Sequence, residues 1–294
     1  MTLSDHDSAG SVGFPAEILG FAGFSTGLAT LVRMPGFLDR VRMVPDVARL
    51  AAQAPRDPTT AWEGFWSRIS ATGHRGDVLW DADTGHEAEQ YEAPIRTFMD
   101  ATLPVVDIGC GNGRWTRWLA ERFPLAMGVD VSASAVHLAE EESGQRPGLS
   151  FRVLDLTEHG AGRKLHSELG DTNVFVRGLF HTLPRRARVN LTSNLRDVVG
   201  DQGRVLLTET NFRGGALSYL QSLGAAPGAI PVPLRHAISG IPRPHAFGAP
   251  ERRRAFPEAG WTVLDDGPVT IEAVPTGDGE PTGVPAYFAM LRAR

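Results

Sequence analysis

The segment PVVDIGCGNGRWTRWLAERF, residues 104–123, constrains the fold more than any other part of the chain. An apolar run ends in Asp107, glycines follow at 109, 111 and 113, and a helical pattern opens at once. A short, continuous apolar run of this kind reads as a strand buried on both faces, as in a parallel sheet. The pattern then recurs. Strand-like runs at 126–132, 149–156, 172–180 and 203–212 alternate with helical stretches such as ASAVHLAEEES and RRARVNLTSNLRDVVG. That alternation predicts an α/β, Rossmann-like, doubly wound parallel sheet. Two further strand-like runs, 260–274 and 286–294, have no helix between them and predict an antiparallel hairpin closing the sheet.

The first hundred residues follow a different rhythm. Residues 1–12 read as a disordered tail, and 13–100 as a helical extension whose helices break near Pro35 and Pro45. Within it Trp62, Phe65, Trp66 and Ile69 recur at helical spacing, which makes them core or pocket wall. The apolar stretch 18–32, bounded by Glu17 and Arg33, falls short of the roughly 20 residues a bilayer span needs. It reads as a buried or partner-facing helix, a candidate homodimer surface, and not as a stable membrane insertion. Residues 101–294 form the second unit, interrupted at 213–250 by a Gly-, Pro- and His-rich insertion of the kind that supplies lids and binding loops.

Composition narrows the classes. The net charge is -5, with 34 acidic against 29 basic residues and no basic stripe, which argues against nucleic acid as the partner. Cys110 is the only cysteine, so no disulfide framework exists. That fits a reducing cytoplasm, as does a polar start, MTLSDHDSAG, without the basic residues of a secretory signal.

The glycine turn would let a ligand approach the backbone, and the helix after it offers free N–H groups to an anion. The spacing is G-x-G-x-G. The dinucleotide fingerprint G-x-G-x-x-G would need glycine where this chain has Arg114. Asp130 ends the second strand and can accept both hydroxyls of a ribose, whether of NAD or of another adenosine cofactor. Asp155 ends the third and can accept from an adenine amino group.

Together DIGCGNG, GVDVS and VLDLTE resemble the class I S-adenosylmethionine-dependent methyltransferases over residues 103–294. The resemblance implies a seven-stranded sheet with one antiparallel strand. It places Gly109, Cys110, Gly111 and Gly113 around the methionine part of the cofactor. Asp130 and Val131 go to the ribose, and Asp155 and Leu156 to the adenine. Asp107 would orient the loop and the cofactor's amino-acid end, and a carbonyl near Arg177 would meet its amino group. The product would be S-adenosylhomocysteine. WEGFWSRISATGHRGDVLWDA is similar to a helical extension of bacterial small-molecule methyltransferases, many of them in secondary metabolism, that closes over cofactor and acceptor.

A sulfonium methyl is already activated, so alignment and exclusion of water are the main tasks. A hydroxyl or carbon-acid acceptor also needs a base, for which His181 and Glu209 are the candidates at the sheet's carboxyl edge; either is also explicable as structural. Trp80, His181 and His236 are the candidate acceptor contacts. His236 and His245 alone make no metal site. The reading is methyl transfer to a small, rather apolar molecule. A non-methylating, cyclase-like enzyme of the same fold and an NAD-dependent dehydrogenase are the alternatives.

Overall fold

A computed structural model of the protein describes residues 36–82, 85–274 and 281–294. The expectations for the tail, for the apolar stretch 18–32 and for its dimer surface lie outside these residues. The strands are β1 (Val105–Ile108), β2 (Ala126–Asp130), β3 (Leu149–Val153), β4 (Asn173–Arg177), β5 (Val205–Thr210), β6 (Trp261–Ala273) and β7 (Thr282–Ala293). They form one sheet in the order β3-β2-β1-β4-β5-β7-β6. The first five are parallel, and β7 runs antiparallel between β5 and β6. The strand order reverses direction at β1, so the carboxyl ends of β1 and β4 flank the crevice where open α/β sheets bind ligands.

The helices among the described residues are α1 (Phe37–Ala51), α2 (Pro58–Trp66), α3 (His86–Phe98), α4 (Arg114–Ala120), α5 (Ala133–Ser143), α6 (Ala161–Leu169), α7 (Arg185–Val199), α8 (Ala216–Ser222), α9 (Val232–Gly240) and α10 (Ala249–Ala255). Successive strand residues serve opposite faces, because side chains alternate along a strand. Val106, Ile108, Val174 and Val176 pack under α6 and α7 with Leu165, Leu191 and Leu195. Val105, Phe175 and Leu206 pack under α3 and α4 with Tyr91, Ile95 and Leu119. Thus α3, inside the 13–100 extension by sequence, covers the sheet itself.

A third core joins the rest of the extension to the insertion. Met43, Phe65, Trp66 and Leu79 pack against Leu220, Leu223, Leu234 and Ala237. α2 begins at a well-formed cap: Pro58 opens the first turn and Asp57 accepts from the Thr60 N–H at 2.8 Å. α1 corrects one expectation, since it runs through Pro45 without a break. Pro45 is exposed, as is Val41, whose carbonyl finds no N–H at position 45.

Candidate active site

All three turn glycines hold positive φ, 76° at Gly109, 54° at Gly111 and 74° at Gly113, which a side chain disfavours. Their surroundings differ. A Cβ at Gly109 would meet only Leu179, at an ordinary 3.6 Å, and Gly109 opens onto the main cavity. A Cβ at Gly111 would lie 2.6 Å from the Trp66 ring. One at Gly113 would lie 2.5 Å from Phe151 and 2.9 Å from Ala139. Gly111 and Gly113 do not line the cavity, and neither do Cys110 and Asp107. These residues shape the turn that presents Gly109. Burial, then the Asp130 carboxylate, pushes the Cys110 thiol well above its ordinary value. Asp107 accepts from Thr116 Oγ1 at 2.7 Å, and burial pushes its carboxyl up to about 7.

Asp130 does face the cavity. Its Oδ2 accepts from the Gly111 N–H at 3.0 Å and its Oδ1 from the Ser132 N–H at 2.9 Å. Each oxygen keeps a lone pair for a ligand hydroxyl. Burial raises its pKa. Asp155 also lines the cavity and accepts from the Thr157 N–H at 2.7 Å, between apolar walls made by Val131, Leu154 and Leu156. A carboxylate at the ends of two neighbouring strands with an apolar slot between them fits an adenosine. Arg177 lines the cavity too, but its guanidinium is held by both oxygens of Glu87, with Nη2 to Oε2 at 2.7 Å, and by the Trp80 carbonyl at 3.2 Å. Burial works against that charge. The Glu87 carboxylate outweighs it and holds the pKa above the ordinary arginine value.

The extension is tied to the turn by polar contacts that sequence reasoning missed. Glu63 on α2 accepts from Ser132 Oγ at 2.7 Å and from the Oγ and N–H of Ser134. These hydroxyls hold its carboxyl below the usual range. Asp81 accepts from the Gly73 N–H at 2.8 Å and from Asn112 Nδ2 at 2.9 Å. Arg114 donates to the Ala82 carbonyl and lies 3.5 Å from Asp81. The residue that replaces a dinucleotide glycine is thus a fastener for the roof.

The cavity holds about 1200 Å³. Beyond the carboxylate end its wall is apolar, with Trp62, Tyr219, Leu234, Ile238 and Ile241. Trp80 belongs to this wall, stacked on Phe65 at 5.3 Å and edge-on to Trp62 at 5.8 Å. His181 lines the cavity. Glu209 does not reach it. Fully buried, it accepts from the N–H groups of Leu179, Phe180 and His181, and His181 Nδ1 lies 2.6 Å from its Oε2. The expectation that Glu209 itself meets an acceptor is corrected by this burial. His245, and not His236, is among the residues that line the cavity. Among the described residues no cluster of His, Cys, Asp and Glu could hold a metal ion, and no helix is long and apolar enough to cross a membrane.

Residues 105–203 match the family model of a methyltransferase domain. A solved SAM-dependent methyltransferase from Anabaena variabilis is 30% identical, with a TM-score of 0.71 over 82% of this chain and 97% of that one. A 2-heptyl-1-hydroxyquinolin-4(1H)-one methyltransferase from Mycobacteroides abscessus is 28% identical, over 64% of this chain and 70% of that enzyme. A trans-aconitate 2-methyltransferase from Deinococcus radiodurans is 34% identical over 28% of this chain, a match that spans only 34% of that enzyme. The strand order, the carboxylates at the ends of β2 and β3 and these likenesses agree: the chain belongs to the S-adenosylmethionine-dependent methyltransferases, with S-adenosylmethionine as its methyl donor.

Proposed function

We propose that the protein transfers the methyl group of S-adenosylmethionine to a small, rather apolar molecule. One observation carries the reading. A single continuous cavity is lined both by Asp130 and Asp155 and by an apolar set that includes Trp62, Trp80, Leu234 and Ile241. Its volume, about 1200 Å³, exceeds the roughly 300–1,000 Å³ of a site for one small ligand, so it has room for donor and acceptor together. The quinolone enzyme of M. abscessus, whose acceptor carries a heptyl chain, supports an apolar acceptor here.

S-adenosylmethionine supplies an activated methyl carbon. Asp130 and Asp155 accept hydrogen bonds from the adenosine, and Val131 and Leu156 flank its base. Arg177, fixed by Glu87, lines the same cavity. α2, clamped to α5 by Glu63, closes the roof and excludes water, so that the acceptor attacks in line from the apolar half. No feature favours the cyclase-like or dehydrogenase alternatives.

Calorimetric titration with S-adenosylmethionine, S-adenosylhomocysteine and NAD tests the reading. Micromolar binding of the two sulfur compounds and none of NAD is the expected result. Binding of NAD alone, or of nothing by protein shown free of carried-over ligand, refutes it.

A further inference from the structure

The methyl-transfer reading leaves open what kind of atom receives the methyl group, and His181 bears on that. His181 sits on the turn after β4, with its side chain 12% exposed and facing the cavity. Its Nδ1 lies 2.6 Å from Glu209 Oε2. Glu209 is otherwise surrounded by donors: its Oε1 accepts from the Leu179 N–H at 3.0 Å and the Phe180 N–H at 2.7 Å, and its Oε2 from the His181 N–H at 3.0 Å. A carboxylate built into the turn as an acceptor selects the imidazole tautomer that carries its proton on Nδ1. Nε2 then presents a lone pair, and among the described residues no hydrogen-bond partner meets it. A third group that orients a histidine in this way is the usual support for a base.

His245 is held beside His181, its backbone N–H donating to the His181 carbonyl at 3.0 Å. Arg243 and His245 line the same cavity. His245 is pushed below its ordinary value by burial and by Arg188, Arg243 and His181. The Arg188 and Arg243 charges that act on His245 favour an acceptor that becomes negative as it reacts and oppose one that arrives as an ammonium ion.

We infer that His181, oriented by Glu209, is the general base of the transfer, and that the acceptor is an apolar molecule bearing a weakly acidic hydroxyl, such as a phenol, enol or N-hydroxyl. The inference rests on the methyl-transfer reading above. The acceptor oxygen gives its proton to Nε2 as its electron pair forms the new bond to the methyl carbon. The pair of the broken carbon–sulfur bond stays on sulfur, and His181 returns the proton to water. Glu209 is a positioning residue, since it touches neither ligand.

Two measurements test this. Nitrogen-15 histidine spectra of the S-adenosylhomocysteine-bound protein, with the signal assigned by His181→Gln, are expected to show His181 protonated at Nδ1 and bare at Nε2. Glu209→Gln, which presents an amide N–H₂ to the ring, is expected to invert that tautomer. A wild-type ring protonated at Nε2 overturns the inference. The second measurement is methylation of 4-heptylphenol, 4-heptylthiophenol and 4-heptylaniline. His181→Gln is expected to lower the rate on the phenol by about 10²–10⁴-fold, the span of general base catalysis, with a loss at least about tenfold smaller on the thiophenol, which ionises unaided. Equal losses on both acceptors, a preference for the aniline, or no turnover of the phenol by enzyme that binds S-adenosylhomocysteine overturns it. Absence of S-adenosylhomocysteine binding by the wild type refutes the methyl-transfer reading instead, so the two failures are distinguishable.

Discussion

Replacing the turn glycines by alanine one at a time separates three roles that one motif conceals. Each alanine adopts a left-handed conformation, at a cost of roughly 1–2 kcal/mol. At Gly109 little else is added to the fold, because the nearest atom to the new methyl is Leu179 at 3.6 Å. At Gly113 the methyl falls 2.5 Å from Phe151 and 2.9 Å from the Ala139 Cβ, both packed between α5 and β3, so an overpacking cost of about 1–3 kcal/mol follows. Gly113→Ala should therefore lose roughly 2–5 kcal/mol and Gly109→Ala roughly 1–2. At about 2 °C per kcal/mol for a chain of this size, the drop in Tm is about 4–10 °C against about 2–4 °C. Binding should show the opposite order. Gly109→Ala narrows the cavity and is expected to weaken S-adenosylhomocysteine at least tenfold, about 1.4 kcal/mol, while folded Gly113→Ala keeps its affinity. Gly111→Ala displaces Trp66, which belongs both to the roof core and to the cavity wall, and should lower both quantities. Thermal unfolding and calorimetry on the three variants are the assay. A Gly109→Ala protein less stable than Gly113→Ala, with its affinity intact, would refute the reasoning.

Asp130→Ala should weaken S-adenosylhomocysteine more than tenfold by calorimetry, and should also cost about 1–3 kcal/mol for each of the two backbone N–H groups it orphans; unchanged affinity would remove the ribose assignment. Asp107 has its carboxyl pushed up to about 7 from 3.8, so an unfolded chain ionises it first and stability declines as pH rises through that window. Asp107→Asn keeps the Thr116 bond, and its Tm against pH should be flatter between those values; a curve parallel to wild type contradicts this. Glu63 shifts the other way: its lowered pKa makes the clamp on Ser132 and Ser134 complete above 4.5 and lost as pH falls through the folded value. Protection of α2 against hydrogen exchange, taken relative to the intrinsic rate at each pH, should fall on acidification in the wild type and stay level in Glu63→Gln.

By itself the sequence determined the sheet, the order of its strands' chemistry and the cofactor. Periodicity is local, and parallel strands bring all their carboxyl ends to one edge, so Asp130 and Asp155 could be placed together before any coordinates. The turn's glycines were legible as a turn for the same reason. Their division of labour was not, because Trp66 and Phe151 reach Gly111 and Gly113 from 45 and 38 positions away. Only tertiary structure folded the extension and the insertion into one roof, with Met43 and Phe65 against Leu220 and Leu234, and tied that roof to the sheet through Glu63 to Ser132 across 69 positions and Glu87 to Arg177 across 90. It likewise put Glu209 beneath the His181 turn instead of in the cavity, and exchanged His236 for His245 at the wall. Partners this distant leave no periodic trace in the chain. They are set by which faces the packed core brings together, and that is decided only when the whole chain has folded.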